Sequence, residues 1–283
     1  MKVNFTKMQG CANDYIYINC FDTIIKNPSK LAIKMSKRHF SVGSDGLVLI
    51  CRSEVADAKM RMFNADGSES EMCGNAIRCI GKYLYDKKMT KKTLITIETL
   101  CGIKYLDLHL DNNGKVKEVT VNMGKAIFDC NKIPVVYSEK EMINSECSVN
   151  GSTYNLTAVS MGNPHCCLYL DEIKDLELEK IGPLFENNPI YPKRTNTEFC
   201  KVIDKNHLEM RVWERGAGET YACGTGACAL VASSIKNKIC YFNENVFVKL
   251  LGGTLIINID SEYNVLMTGP AEFVYEGVYE YED

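Results

Sequence analysis

The chain has 283 residues, 46% of them hydrophobic and 24% charged, with a formal net charge of −3 and a pI near 5.9. That length permits two ordinary domains, each with its own core, and that composition belongs to folded rather than disordered chains. The mild acidity leaves no broad basic field for nucleic acid, and no run approaches the ~20 apolar residues of a membrane span or forms a signal core, so a cytoplasmic protein without membrane contact is expected.

Near the start, "GCANDYIYI" from Gly10 sets a small residue and Asn13 ahead of an apolar run. "GLVLICRSEVADAKMRMFN" from Gly46 reads as strand, turn, strand, with Ala56 and Asp57 near the turn. A helix is predicted to begin at Cys73–Gly74, because "CGNAIRCIGKYLYDK" repeats Ile77, Ile80 and Leu84 at helical spacing. The basic stretch "DKKMTKKT" from Asp86 reads as a solvated turn. Strands follow at "LITIET" and "VKEVTVNMG", and residues from Lys125 to Glu146 are the expected connection to a second half. There "SMGNPHCCLYL" from Ser160 is strand-like, and "NTEFCKVIDKNHLEMRVWE" from Asn196 again reads strand, turn, strand around Asn206 and His207. A second helix is predicted at Cys223–Gly224, with Ala227, Leu230, Val231 and Ile235 on its apolar side. Strands at "NVFVKLLGGTLIINI" and "EFVYEGVY" close the chain.

The second half repeats the first at a constant offset of 150, which pairs Asn13 with Asn163, Met60 with Met210, Arg61 with Arg211, Glu69 with Glu219, Cys73 with Cys223 and Gly74 with Gly224. Several matches in one register argue for an internal duplication, and the period is far too long for a solenoid. The expected architecture is α/β (α+β): two similar domains related by a pseudo-twofold axis, each a curved sheet wrapped on the helix that starts at Cys-Gly.

Fourteen cysteines without a single C-x-x-C, and only four histidines, give no metal-site spacing. Most of them, including Cys20, Cys51, Cys166, Cys167 and Cys200, lie in apolar strand-like runs, where a reduced cysteine acts as a small buried hydrophobe. Cys73 and Cys223 differ, because each opens a helix. The unpaired N–H groups and positive dipole end there hold a carboxylate and favour a thiolate. Asn75 and Thr225 occupy matched places in the first turns. Facing one another in a closed cleft, the two sulfurs would remove a proton from one face of a carbon and return one to the other, which is acid/base chemistry with no covalent intermediate. Against this stand two plainer readings: structural cysteines, or a dinucleotide loop at "GTGACA". The latter wants a buried strand running into its first glycine, whereas "ERGAGETYAC" is polar.

The motifs "MCGNAIRC", "ETYACGTGACA", "SMGNPH", "RTNTEF" and "WERGAGET" closely resemble those of the diaminopimelate epimerases, and the resemblance runs from "KMQGCANDYIYI" to "MTGPAEFVYEG". It implies an enzyme that interconverts LL- and meso-diaminopimelate for lysine and peptidoglycan synthesis with no cofactor and no metal, and acts as a homodimer. It implies a first domain of residues 1–120 completed by 272–283, a second of 121–271, and a site in the cleft between them. Carried across, Cys73 and Cys223 are the acid/base pair, and His165 and Glu214 tune their thiols. Gly74, Asn75, Gly224 and Thr225 hold the reacting carboxylate, while Asn13, Asn64, Asn163, Asn196, Glu214 and Arg215 read the rest of the substrate. The chain departs from the pattern at Ala12 and Ala76, where the family usually has glycine. An added methyl there is expected to narrow the pocket, or to cost about 1 kcal/mol wherever the backbone is left-handed. The alternatives are a pyridoxal-phosphate-independent racemase of histidine or proline type, though a proline pocket has little use for Arg215, and a binding protein without turnover, which does not require both thiols.

Overall fold

The computed structural model describes residues 2–281; residue 1 and the last two residues of the predicted return segment, 282–283, lie outside them. The chain forms two compact units, Met1–Val121 with Thr268–Asp283, and Asn122–Met267.

In the first unit β1 (Lys2–Gly10) turns back into β2 (Asn13–Asn19) through Cys11 and Ala12, with φ of 55° and 63°. Two left-handed residues in succession twist a hairpin in the sense its strands require, a place that Asn and Gly usually fill. Ala12 therefore stands where the predicted backbone cost applies, and its N–H is held by Gln9 Oε1 at 2.8 Å. α1 (Pro28–Ser36), capped by the Asn27 side chain, carries the chain over to β3 (Gly46–Cys51), which runs parallel to β2. β4 (Ala58–Asn64), the short β5 (Glu69–Ser70) and α2 (Gly74–Asp86) follow. β6 (Leu94–Thr99) pairs parallel with β4, and β7 (Gly102–Leu110) and β8 (Val116–Lys125) continue antiparallel.

Burial runs almost without a break along α2 from Gly74 to Leu84, the mark of a central rather than a surface helix. It packs on β1, β2 and β7, strands from opposite ends of the pairing order. A flat sheet cannot bring both ends to one helix, so the sheet curls around it. Gly81 permits that closeness, since a Cβ there would lie 2.8 Å from Leu108 Cδ2.

The second unit repeats the plan. β9 (Ser145–Val149) and β10 (Ser152–Ser160) form a hairpin on Asn150–Gly151, both with positive φ. β11 (Pro164–Tyr169), α3 (Leu178–Glu186), β12 (Asn196–Asp204), β13 (His207–Glu214), β14 (Gly218–Thr220), α4 (Gly224–Lys236), β15 (Asn245–Leu250), β16 (Gly253–Ile259) and β17 (Asn264–Pro270) follow in the order of the first half. The parallel pairs β11/β12 and β13/β15 match β2/β3 and β4/β6. α2 and α4 are both 13 residues long and begin 150 residues apart, at Gly74 and Gly224. α4 packs on β10, β11, β12 and β16. The last strand, β18 (Glu272–Glu280), pairs antiparallel with β1.

Two expectations change. The segment from Lys125 to Glu146, expected as the connection between halves, is part of the second unit: Cys130, Ile133, Val135 and Met142 are buried with Leu156, Phe185 and Phe199. And although none of the fourteen cysteines is in a disulfide, and Cys166, Cys167 and Cys200 are buried, Cys20 and Cys51 are only half-buried.

Candidate active site

Each unit presents one network around its Cys-Gly helix start. In the first, Cys73 is the N-cap of α2, half-buried and extended at φ −128° and ψ 124°. Its Sγ donates to Asn13 Oδ1 at 3.4 Å, and Asn75 Nδ2 reaches the same oxygen at 3.3 Å. The other side of the Asn13 amide, Nδ2, donates to Asp45 Oδ2 at 2.7 Å. Asp45 also accepts from Arg38 Nη2 at 2.9 Å and, through its backbone carbonyl, from the Ala65 amide at 3.1 Å, which fixes the end of β4 where Asn64 stands. Asn64 itself donates to Ser68 Oγ at 3.0 Å. Burial first, then the neighbouring Asp14 charge, push the Asp45 carboxyl above its ordinary value.

Beneath the first turn of α2 lies Arg78, whose side chain is completely buried. It donates to the carbonyls of Gly74 at 3.1 Å and Pro270 at 3.2 Å, and so ties the helix start to the strand that leads into β18. Ala76 is helical and buried, and its carbonyl accepts from Tyr17 Oη at 3.2 Å. Only Ala12, of the two departures, pays a backbone penalty.

In the second unit Cys223 caps α4, and its Sγ accepts from the Gly226 amide at 3.3 Å and lies 3.5 Å from Thr225 Oγ1. Thr225 accepts from Asn163 Nδ2 at 3.3 Å, and Asn163 Oδ1 lies 3.0 Å from His165 Nε2. His165 Nδ1 is in turn 2.7 Å from Glu198 Oε1, with both side chains fully buried. A buried carboxylate on one ring nitrogen orients the imidazole and fixes which nitrogen faces Asn163. Glu214 bonds Thr220 Oγ1, and burial raises its carboxyl above the ordinary range, with Thr220, His165 and a hydrogen bond to Cys223 opposing this. Asn196 Oδ1 accepts from the Arg215 amide at 2.9 Å, while the exposed Arg215 guanidinium holds the Lys193 carbonyl at 3.0 Å.

Burial, then the charges of Glu214 and Glu198, hold the Cys223 thiol well above its usual value, against the pull of Thr225 and the Gly226 amide.

Hydrogen bonds thus join Asn13 and Asn75 to Cys73, and Asn163, His165 and Thr225 to Cys223, whereas the side chains of Asn64 and Arg215 bond Ser68 and the Lys193 carbonyl instead. Glu198 was missed, as were Asp45 and Arg38. Glu198 had a signal: it is a charged residue in an apolar strand at the position that duplicates Val48, a core residue. Among the described residues no group of three or more His, Cys, Asp and Glu side chains is arranged to hold a metal ion, and no helix is long and apolar enough to cross a membrane.

The diaminopimelate epimerase family model matches residues 5–128 and 157–274. A diaminopimelate epimerase of Acetivibrio thermocellus is 55% identical over 277 residues, covering 97% of this chain and 98% of the relative. One of Methanococcus maripaludis is 53% identical over 276 residues, covering 97% and 99%. Among solved structures, a PhzF-family phenazine biosynthesis protein of Bacillus anthracis superposes with a TM-score of 0.70 at 17% identity over 99% of this chain and 100% of its own. A hydroxyproline epimerase of Agrobacterium vitis, with bound trans-4-OH-L-proline, gives 0.70 at 11% identity over 98% and 92%. At such identities these two likenesses are of fold alone.

Proposed function

The chain belongs to the diaminopimelate epimerase family and interconverts LL- and meso-diaminopimelate in lysine and peptidoglycan precursor synthesis; we propose that it does so with Cys73 and Cys223 as its acid and base. The observation that carries this reading is the pair of matched N-cap cysteines, each beside first-turn N–H groups suited to a carboxylate. The reaction requires the two sulfurs to flank one alpha carbon, one removing its proton and the other supplying a proton from the opposite face. One must be thiolate while the other is thiol. Each sulfur serves as base in one direction and as acid in the other, and burial and the carboxylates beside Cys223 favour its thiol form. The first-turn amides at Gly74, Asn75, Gly224 and Thr225 take up the charge that spreads onto the carboxylate as the carbon loses its proton. No cofactor enters this scheme.

Asn13, Asn64, Asn163 and Asn196 bind the remainder of the substrate, Arg215 its distal carboxylate and Glu214 an ammonium group. A guanidinium fork suits a second, distal carboxylate, which proline and histidine lack. His165 and Glu214 tune the Cys223 side. The same reading has the enzyme act in the cytoplasm as a homodimer.

Incubating LL-diaminopimelate in deuterated water tests the assignment, with alpha-carbon deuterium read by mass spectrometry. Cys73→Ala and Cys223→Ala should each lose epimerisation by about a thousandfold or more. Full turnover in either variant removes the two-base scheme.

A further inference from the structure

Outside the site, the parallel pairing of β2 with β3 brings two further sulfurs together. The register runs from Tyr15 opposite Gly46 to Asn19 opposite Ile50, and the Cys20 amide continues it by donating to the Ile50 carbonyl at 2.8 Å. Cys20 therefore lies opposite Cys51. Neighbouring strands run about 4.8 Å apart, inside the Cα separation a disulfide spans. The two thiols hydrogen-bond one another, and both are half-buried against Ile18, Leu49 and their neighbours, within reach of solvent.

The pair is chemically polarised. Lys59 stands opposite Cys51 on β4, and Arg61 lies two residues on, on the same face. The bond from Cys20, followed by the Arg61 and Lys59 charges and against burial and Glu69, brings the Cys51 thiol down to about 7, while the same bond and burial push Cys20 up. The fully buried Cys79 and Cys166 are instead pushed up to about 11 and about 12 by burial. A sulfur ionised near neutrality beside a protonated partner is the arrangement of an attacking and a resolving thiol.

We propose that Cys20 and Cys51 are a redox-active dithiol that closes to a disulfide at the expense of a small-molecule disulfide such as glutathione disulfide. The Cys51 thiolate attacks one sulfur of the small disulfide and expels the other as a thiolate. Cys20 then releases its proton, and its sulfur attacks Cys51 Sγ and expels the second small thiolate. Two protein thiols are oxidised, one small disulfide is reduced to two thiols, and two electrons and two protons pass between them. Cys20 lies seven residues along β2 from Asn13, the residue in contact with Cys73; at about 3.3 Å per residue this is on the order of 20 Å, so the pair is separate from the catalytic sulfur.

The test equilibrates the reduced full-length protein with mixtures of glutathione and its disulfide, blocks remaining thiols and digests with trypsin without reduction. A cross-link between peptides 8–26 and 39–52 is expected, lost in both Cys20→Ser and Cys51→Ser. In Cys20→Ser, Cys51 should hold the glutathione adduct and form it roughly tenfold faster than the exposed Cys101. Closing the loop should raise the melting temperature of the wild type by several degrees, about what a loop of this length gives. Three results would overturn the proposal: no cross-link in the wild type, a cross-link that survives in Cys20→Ser through Cys11, or an adduct at Cys51 no faster than at Cys101. The wild-type measurement stands even where a variant fails to fold.

Discussion

The helix starts at Cys73 and Cys223 share length, capping residue and place in their sheets, yet their surroundings diverge one residue at a time. Where the second half has His165 and Glu198, the first has Tyr15 and Val48; where the second has Gly226, the first has Ala76. The reason for the last difference is steric. A Cβ at Gly226 would lie 2.7 Å from Glu198 Oε1 and 3.2 Å from Cys223 Sγ. Val48 carries no carboxylate to press on Ala76. Duplication has kept the backbone that aims the sulfur, and the second unit alone adds a fully buried His165–Glu198 pair beside it. In the proposed two-base scheme each sulfur is base in one direction and acid in the other, so a carboxylate that raises one thiol biases which form rests rather than whether the reaction runs.

Removing the charge behind His165 breaks the comparison most sharply. Glu198→Gln keeps an acceptor for His165 Nδ1 but removes one of the two carboxylates that raise Cys223. The expected result is a kcat lower by roughly ten- to a hundredfold with KM little changed. The alkaline limb of the rate profile should also move to lower pH, because Cys223 then gives up its proton more readily. A variant that melts earlier while its pH profile stays in place would reduce Glu198 to a structural role.

Exchanging the small residues sharpens the comparison. Gly226→Ala should cost about 1–3 kcal/mol in urea unfolding, from overpacking against Glu198 and Cys223. Ala76→Gly should cost only about 1 kcal/mol, the ordinary penalty of glycine within a helix. Equal losses at the two sites would mean that Glu198 does not set the spacing.

The smallest effect belongs to the β1–β2 turn. With φ of 63° at Ala12, Ala12→Gly should relieve strain and stabilise the protein by up to about 1 kcal/mol, read as a higher urea midpoint, while the second unit's turn at Gly162 has nothing to gain. A lower midpoint would show that the alanine is held there by packing.

Much of this was legible in the sequence. Strand alternation, the Cys-Gly repeats and the 150-residue register located both central helices at their first residues, and the resemblance supplied the site residues that fall into the two networks. What stayed hidden depends on contacts made through space. In "NTEFCKV" Glu198 looks like the outward residue of a strand, and only its buried bond to His165 shows otherwise. The Asp45–Arg38 bond that steadies Asn13 joins a loop to the start of a strand, and no periodicity reports it. Cys20 and Cys51 read as core residues because their runs are apolar; that they face one another follows from a parallel register, which local pattern does not encode. The connection from Lys125 to Glu146 has no counterpart in the first half, so the repeat said nothing about its packing.

The pairing of β18 with β1, from Gln9 opposite Glu272 to Lys2 opposite Glu280, sets an order of events during synthesis. A ribosome makes β1 well before β18, so the N-terminal unit waits with an open strand edge until β18 has emerged, whereas residues 122–267 emerge as a block able to fold ahead of it. A chain cut after Ala271 would therefore lose no residue of either Cys-Gly network and still carry an unpaired, aggregation-prone border.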